Sequence, residues 1–188
     1  QKTLKEQGYT AKVHLMQSFG GVASADSAQE KPVNLLLSGP VGGVLGAIWT
    51  SKLTDIQNVI TLDIGGTSAD ISVLADLKPS MKHLLDTKVG GYAAMVPMID
   101  VGTIGAGGGS IAYIDEGGFF RVGPQSAGAV PGPACYDRGG VEPAVSDANI
   151  ILGRLGTKLL GGRMDIKPEL AEKAIMERIG KPLGKDLY

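Results

Sequence analysis

The chain has 188 residues, 43% apolar and 20% charged, the proportions of an ordinary globular core, and is long enough for one large domain or two small ones. With 18 Lys and Arg against 19 Asp and Glu, the formal charge of −1 gives no basic field for nucleic acid or anionic lipid and directs attention to small-molecule partners. No apolar run approaches the roughly twenty residues that span a bilayer, no signal segment opens the chain, and a single cysteine excludes an internal disulfide framework and suits a reducing cytosol, so the expectation is a cytoplasmic protein.

In chain order, residues 1 to 12 read as the end of a polar helix, followed by a short strand from Val13 to Met16 and a turn at Ser18-Phe-Gly-Gly21. Pro32 to Leu37 reads as an apolar strand. Ser38-Gly39-Pro40 then breaks the pattern and starts a helix, with Ser38 as the cap and Pro40 in the first turn, where its missing N–H costs little. That helix, Val41 to Leu53, carries Val44, Leu45, Ile48 and Trp49 on one face, with Trp49 as core, and Gly42, Gly43 and Gly46 allow close packing or ligand approach.

The segment Val59-Ile-Thr-Leu-Asp-Ile-Gly-Gly-Thr-Ser-Ala-Asp-Ile-Ser-Val-Leu74 carries the most chemistry. Two strand-like runs meet at a glycine turn. Gly65 and Gly66 leave room for consecutive backbone N–H groups to point into one concavity that suits an anion, and Thr67 and Ser68 add hydroxyl donors. Asp63 ends the first strand and Asp70 begins the second, so a carboxylate beside bound phosphate can hold Mg²⁺ directly or through its waters. A bare hairpin turn needs only the glycines; the flanking acids and hydroxyls exceed that requirement. The Walker and Rossmann fingerprints do not occur at this hairpin.

A polar segment from Lys78 to Lys88 follows, then strands at Val96 to Ile104, Ser110 to Asp115 and Phe119 to Val122, the last two joined by the turn Asp115-Glu-Gly-Gly118. Glycine makes up 29 of the 188 residues and clusters at turns. In Gly105-Ala-Gly-Gly-Gly-Ser110, wedged between strands, it reads as a backbone loop around a ligand, with Asp100 upstream as a metal or substrate partner. Pro124 to Gly140 is a long Gly- and Pro-rich loop containing Cys135. Neither His14 nor His83 can be placed beside that thiol as a base, so Cys135 reads as a small buried hydrophobe, and two histidines argue against a histidine-based zinc site. Ser146 caps a helix through Leu155, with Asp147 placed favourably for the helix dipole, and Lys167 to Ile179 forms a second amphipathic helix with Leu170, Ala174, Ile175 and Ile179 at helical spacing. The chain opens on Gln1 and closes in a polar stretch at Tyr188, which reads as a piece of a longer protein.

The ordered series Ser18-Phe-Gly-Gly21, Ser38-Gly-Pro-Val-Gly-Gly43, Asp63-Ile-Gly-Gly-Thr-Ser-Ala-Asp70, Gly105-Ala-Gly-Gly-Gly-Ser110, Gly123-Pro-Gln-Ser-Ala-Gly128, Pro131-Gly-Pro-Ala-Cys-Tyr136 and Val145-Ser-Asp-Ala148 resembles the hydantoinase A/5-oxoprolinase family across most of the chain. The resemblance implies an α/β architecture of the actin, hexokinase and Hsp70 type (ribonuclease H-like), here in part, with a mixed sheet and flanking helices. Residues 1 to 188 would be a hydantoinase A-type ATPase domain fragment carrying the second phosphate loop and a glycine-rich substrate-side segment. The family's first phosphate loop has no second copy here, so weak or absent ATP turnover is expected of the chain in isolation.

The same resemblance implies ATP and Mg²⁺ as cofactors and phosphorylation of a ring carbonyl in a cyclic amide before water opens the ring. Gly65, Gly66, Thr67 and Ser68 would bind phosphate, and Asp63 and Asp70 would act in catalysis by holding Mg²⁺ or its waters. Asp100 with Gly107, Gly108, Gly109 and Ser110 would face the substrate, with Asp100 a further metal ligand. Many relatives carry a His two positions after the acid matched by Asp100; here that place is Gly102, which argues against a metal bound by both. A B-type subunit is the partner expected by analogy. Alternatives are a subunit of an ATP-dependent ketone carboxylase, a non-catalytic nucleotide-dependent switch, and a glycine-rich structural domain.

Overall fold

The structure is a computed structural model describing residues 1–89 and 91–187. The chain divides into two compact units: the first comprises Gln1–Asp63 and Asp70–Gly102, the second Ile64–Ala69 and Thr103–Tyr188. Both combine strands with flanking helices, a mixed α/β arrangement.

The first unit opens with α1 (Lys2–Glu6) and a small antiparallel ribbon of β1 (His14–Met16) and β2 (Val22–Ser24), closed by the expected turn, in which Gln17 N donates to Gly21 O. Ser24 then caps α2 (Ala25–Glu30), its hydroxyl accepting from Ser27 N. Pro32 to Leu37, expected as a strand, is instead a 3₁₀ turn over Pro32–Leu35. Pro32 supplies the helical φ at its first position, and Asn34 O takes both the N–H and the hydroxyl of buried Ser18, bonds that hold the turn against the ribbon.

The long helix α3 (Ser38–Leu53) starts earlier than its apolar pattern suggests, and Ser38 is its first helical residue, not its cap. The capping position is Leu37, in the left-handed region at φ 53°, with no side-chain cap bond. Val41 and Val44 are buried against Leu74, Ile99 and Val101, with Leu45, Ala47 and Ile48 packed around them. At about 1.5–3 kcal/mol per fully buried aliphatic side chain, this seam is what ties the helix to the sheet. Trp49, expected in the core, is 66% exposed. A helix turns about 100° per residue, which carries Trp49 past Ile48 and off the edge of the buried stripe. A Cβ at Gly42, Gly43 or Gly46 would meet nothing within 4 Å, so these glycines serve no close packing among the described residues.

The main sheet runs β3 (Val59–Ile64), β4 (Ala69–Ala75), β5 (Lys78–Pro79). Strands β6 (Lys88–Val89) and β7 (Tyr92–Ala93) form a separate ribbon, and β8 (Gly102–Ile104) pairs with β4. The strand expected over Val96 to Ile104 is therefore split. Ile99 makes an isolated bridge to Met81, and Asp100 is sewn in by its backbone, its N–H donating to Ser80 O and its carbonyl accepting from Ser72 Oγ, both at 2.8 Å.

In the second unit, β9 (Ser110–Ile114) and β10 (Phe120–Ser126) form the expected antiparallel hairpin, whose turn is set by Asp115. Its carboxylate accepts from Gly117 N, Phe119 N and Arg121 Nε, and the Arg121 bond is the main cause holding its pKa below the usual carboxylate range. Next comes α4 (Val145–Ile151), shorter than the predicted run to Leu155 and capped differently: Ala144 is the N-cap and Ser146 lies inside the first turn. After the ribbon of β11 (Lys158–Leu159) and β12 (Met164–Asp165), the second amphipathic helix follows as α5 (Pro168–Ile175), a π-helical turn over Met176–Gly180 and α6 (Lys181–Leu183). Cys135, Ile150, Ile166 and Ala171 form this unit's core.

Candidate functional site

The turn between β3 and β4 is closed by Gly65 N donating to Ser68 O at 2.8 Å. Gly65, Gly66 and Thr67 are exposed and Ser68 is half-buried. The glycine cluster expected to wrap a ligand lies instead against this turn. Gly108 N donates to Gly65 O at 3.0 Å, and Gly109 N donates to Gly66 O. A Cβ at Gly107 would stand 2.8 Å from Gly65 O and from Thr67 C, and one at Gly109 would stand 2.8 Å from Gly66 O and from Ser126 Oγ. The chemistry of both positions is thus steric: only glycine lets the two backbones touch.

That contact determines where the turn's donors point. The Gly65–Gly66 and Gly66–Thr67 peptides are trans and planar, so each N–H is directed opposite to the carbonyl of the same peptide. With the carbonyls of Gly65 and Gly66 committed to Gly108 and Gly109, the N–H groups of Gly66 and Thr67 face away from the cluster. No carbonyl among the described residues accepts from either. Thr67 and Ser68, the next residues of the turn, carry hydroxyls.

The cluster is itself stiff. Gly107 N donates to Ser110 Oγ at 2.9 Å, Ser110 N to Gly107 O at 3.0 Å, and Ala127 N to Gly109 O at 2.8 Å, so the hydroxyl of buried Ser110 is engaged within the cluster.

In the first unit, α3 and β3 flank a cleft of about 370 Å³ lined by Pro40, Gly43, Val44, Ala47, Val59 to Asp63, Asp70 and Val101. Asp63 and Asp70 both line it, Asp63 exposed and Asp70 half-buried. Asp100 is exposed, and among the described residues no three His, Cys, Asp or Glu side chains converge as a metal cluster. Such a set suits Mg²⁺, which binds through one or two carboxylates and completes its shell with phosphate and water, and it gives Asp100 no place in a shared three-carboxylate centre.

Cys135 is fully buried, and desolvation, with Asp147 beside it, pushes its thiol far above the ordinary range; a thiolate nucleophile is excluded there. Sequence reasoning missed the role of the Val145-Ser-Asp-Ala148 motif. Ser146 N donates to Gly108 O at 2.7 Å, and the Asp147 carboxylate accepts backbone N–H groups instead of only complementing a dipole.

Comparison with known proteins supplies the remaining observations. The chain is 43% identical to the caprolactamase subunit alpha of Pseudomonas jessenii over 96% of its own length and 26% of that protein's. It is 42% identical to a 5-oxoprolinase of Saccharomyces cerevisiae over 76% of its length and 11% of that protein's. The acetophenone carboxylase gamma subunit of Aromatoleum aromaticum is 37% identical over 96% of the chain and 25% of that subunit. Among solved structures, nucleotide-free acetone carboxylase superposes with a TM-score of 0.79 at 28% identity, and the ATP-dependent caprolactamase of Pseudomonas jessenii with 0.71 at 40%, each over 98% of this chain and 26% of the other. The chain thus spans about a quarter or less of these relatives. The family model for hydantoinase/oxoprolinase proteins matches residues 1–188, and with the glycine-anchored turn it places this chain in the hydantoinase/oxoprolinase family.

Proposed function

We propose that the chain provides one phosphate-gripping element of an ATP-dependent enzyme that opens cyclic amides. The observation carrying this reading is the pair of outward-facing amides of Gly66 and Thr67, fixed by Gly108 and Gly109. A transferring phosphoryl group needs positioning and charge neutralisation above all, and preorganised N–H donors supply both without reorganising during the reaction. Gly66 and Thr67 would hold phosphate oxygens through backbone N–H, with the Thr67 and Ser68 hydroxyls as further donors. Asp63 and Asp70, flanking the turn in sequence, would hold Mg²⁺ or orient its waters. ATP, when bound, would supply its γ-phosphoryl group to the ring carbonyl oxygen with ADP as the leaving group; this would activate the carbonyl carbon for attack by water, after which the ring C–N bond breaks and the resulting acyl phosphate is hydrolysed to carboxylate and phosphate. We assign exposed Asp100 to the substrate side and Gly107 to Ser110 to support of the turn.

Caprolactamase and 5-oxoprolinase relatives favour the cyclic-amide reading. A ketone carboxylase subunit is the second reading, favoured by the carboxylase relatives, and would use the same phosphate turn. In either case a B-type subunit is the expected partner and a reducing cytoplasm the expected compartment; among the described residues no helix is long and apolar enough to cross a membrane. ATP hydrolysis by the full-length protein, alone and with its partner subunit, separates the readings. Stimulation by hydantoin, 5-oxoproline or a lactam supports the amidohydrolase, stimulation by a ketone with bicarbonate supports the carboxylase, and hydrolysis indifferent to all of them favours a nucleotide switch.

A further inference from the structure

Asp147 is wholly buried, and its carboxylate accepts three backbone N–H groups: Ala144 at 2.7 Å, Cys135 at 2.7 Å and Ala134 at 3.2 Å. A buried carboxylate is costly unless its oxygens are satisfied, and charge-assisted bonds are the strong way to satisfy them. Here they bind the 134–135 backbone and the start of α4 to one side chain. The adjacent residue, Ser146, donates its N–H to Gly108 O at 2.7 Å, and the same region holds β9 through Ala112 N to Pro143 O at 2.7 Å and an Ile111–Ala144 bridge. Gly108 is therefore held on one side by the backbone that Asp147 fixes, and on the other it holds Gly65.

We propose that Asp147 is a positioning residue for the phosphate-gripping turn: it fixes the backbone around Ser146, Ser146 fixes Gly108, and Gly108 fixes the direction of the Gly66 N–H. The inference rests on the phosphate reading above. It makes Asp147 a determinant of nucleotide affinity although the side chain is sealed from solvent.

The test uses the full-length enzyme with Asp147→Asn, which keeps the volume and removes the charge that binds the three amides. Backbone hydrogen exchange should accelerate at residues 107–110 about tenfold while α3 keeps its wild-type protection, and the KM for Mg·ATP should rise about tenfold with the ring-substrate KM unchanged. Unchanged exchange at 107–110, uniform acceleration throughout the protein, or an unaltered KM for Mg·ATP would each overturn the proposal. If the variant does not fold, the wild-type enzyme decides. ADP should raise protection at 107–110 and 144–147 as well as at 64–68, and a footprint confined to 64–68 overturns the coupling. A wild-type enzyme that binds no nucleotide sinks the phosphate reading separately, and exchange at 107–110 in Asp147→Asn still tests whether Asp147 holds the turn's support.

Discussion

The amide of Gly108 donates to the carbonyl of Gly65 at 3.0 Å, two glycines 43 positions apart whose backbones approach without a side chain between them. This bond and its neighbour from Gly109 to Gly66 turn a flexible turn into a directed pair of donors. The glycines of the two segments thus do different work. A Cβ at Gly66 would enter open space, whereas the absence of one at 107 and 109 lets the supporting backbone come close.

Gly107→Ala should weaken nucleotide binding and destabilise the protein by about 2 kcal/mol, because its Cβ would press on backbone atoms 2.8 Å away that cannot rotate aside. Equilibrium denaturation and ADP titration measure the two effects. Wild-type behaviour in both would show that the two backbones do not touch as described.

Gly42→Ala should do the opposite. Its Cβ enters open space in the first half of α3, so helix propensity alone operates and the protein should gain up to about 1 kcal/mol. A rise in Tm with unchanged ATP turnover is the expected result; a loss of stability would mean that another surface covers Gly42.

Asp63→Asn should lower ATP-dependent turnover of the full-length enzyme by about a hundredfold while leaving its unfolding transition in place, since charge is lost at nearly constant volume. Steady-state kinetics against Mg²⁺ concentration checks this, and unchanged kinetics would remove Asp63 from the site.

Cys135 makes stability depend on alkaline pH. Burial raises its thiol pKa in the folded protein, so above the unfolded value of about 8.5 the unfolded chain loses a proton that the folded chain keeps. The stabilisation is complete below that pH and is lost as pH rises, by about 1.4 kcal/mol per pH unit from this group. Cys135→Ala should flatten the profile between pH 9 and 10 relative to wild type, at a uniform cost of about 1 kcal/mol for the lost packing. Parallel profiles for the two proteins would refute the assignment.

Much of this was legible along the chain. The two strand-like runs around Gly65-Gly66, the acidic residues on either side and the Asp115 turn are local patterns, and chain-local composition together with turn chemistry specifies them without distant partners. Burial of Cys135 agrees with its reading as a small hydrophobe, since a free cysteine with no placeable base is commonly packed inside. Pro32–Leu35 was misread because its apolar residues look strand-like, while the choice of a 3₁₀ turn depends on Ser18, far off in sequence, bonding to Asn34 O. Trp49 was misread because apolar character says nothing about which side of a helix meets the sheet.

The sequence by itself determined a glycine turn with acidic and hydroxyl neighbours, because those properties belong to residues adjacent in the chain. Only the tertiary structure decided what aims the turn. The bonds from Gly108 to Gly65, from Ser146 to Gly108 and from three backbone amides to Asp147 join segments separated by tens of residues, and hydrogen-bond direction exists only once those segments have been brought together.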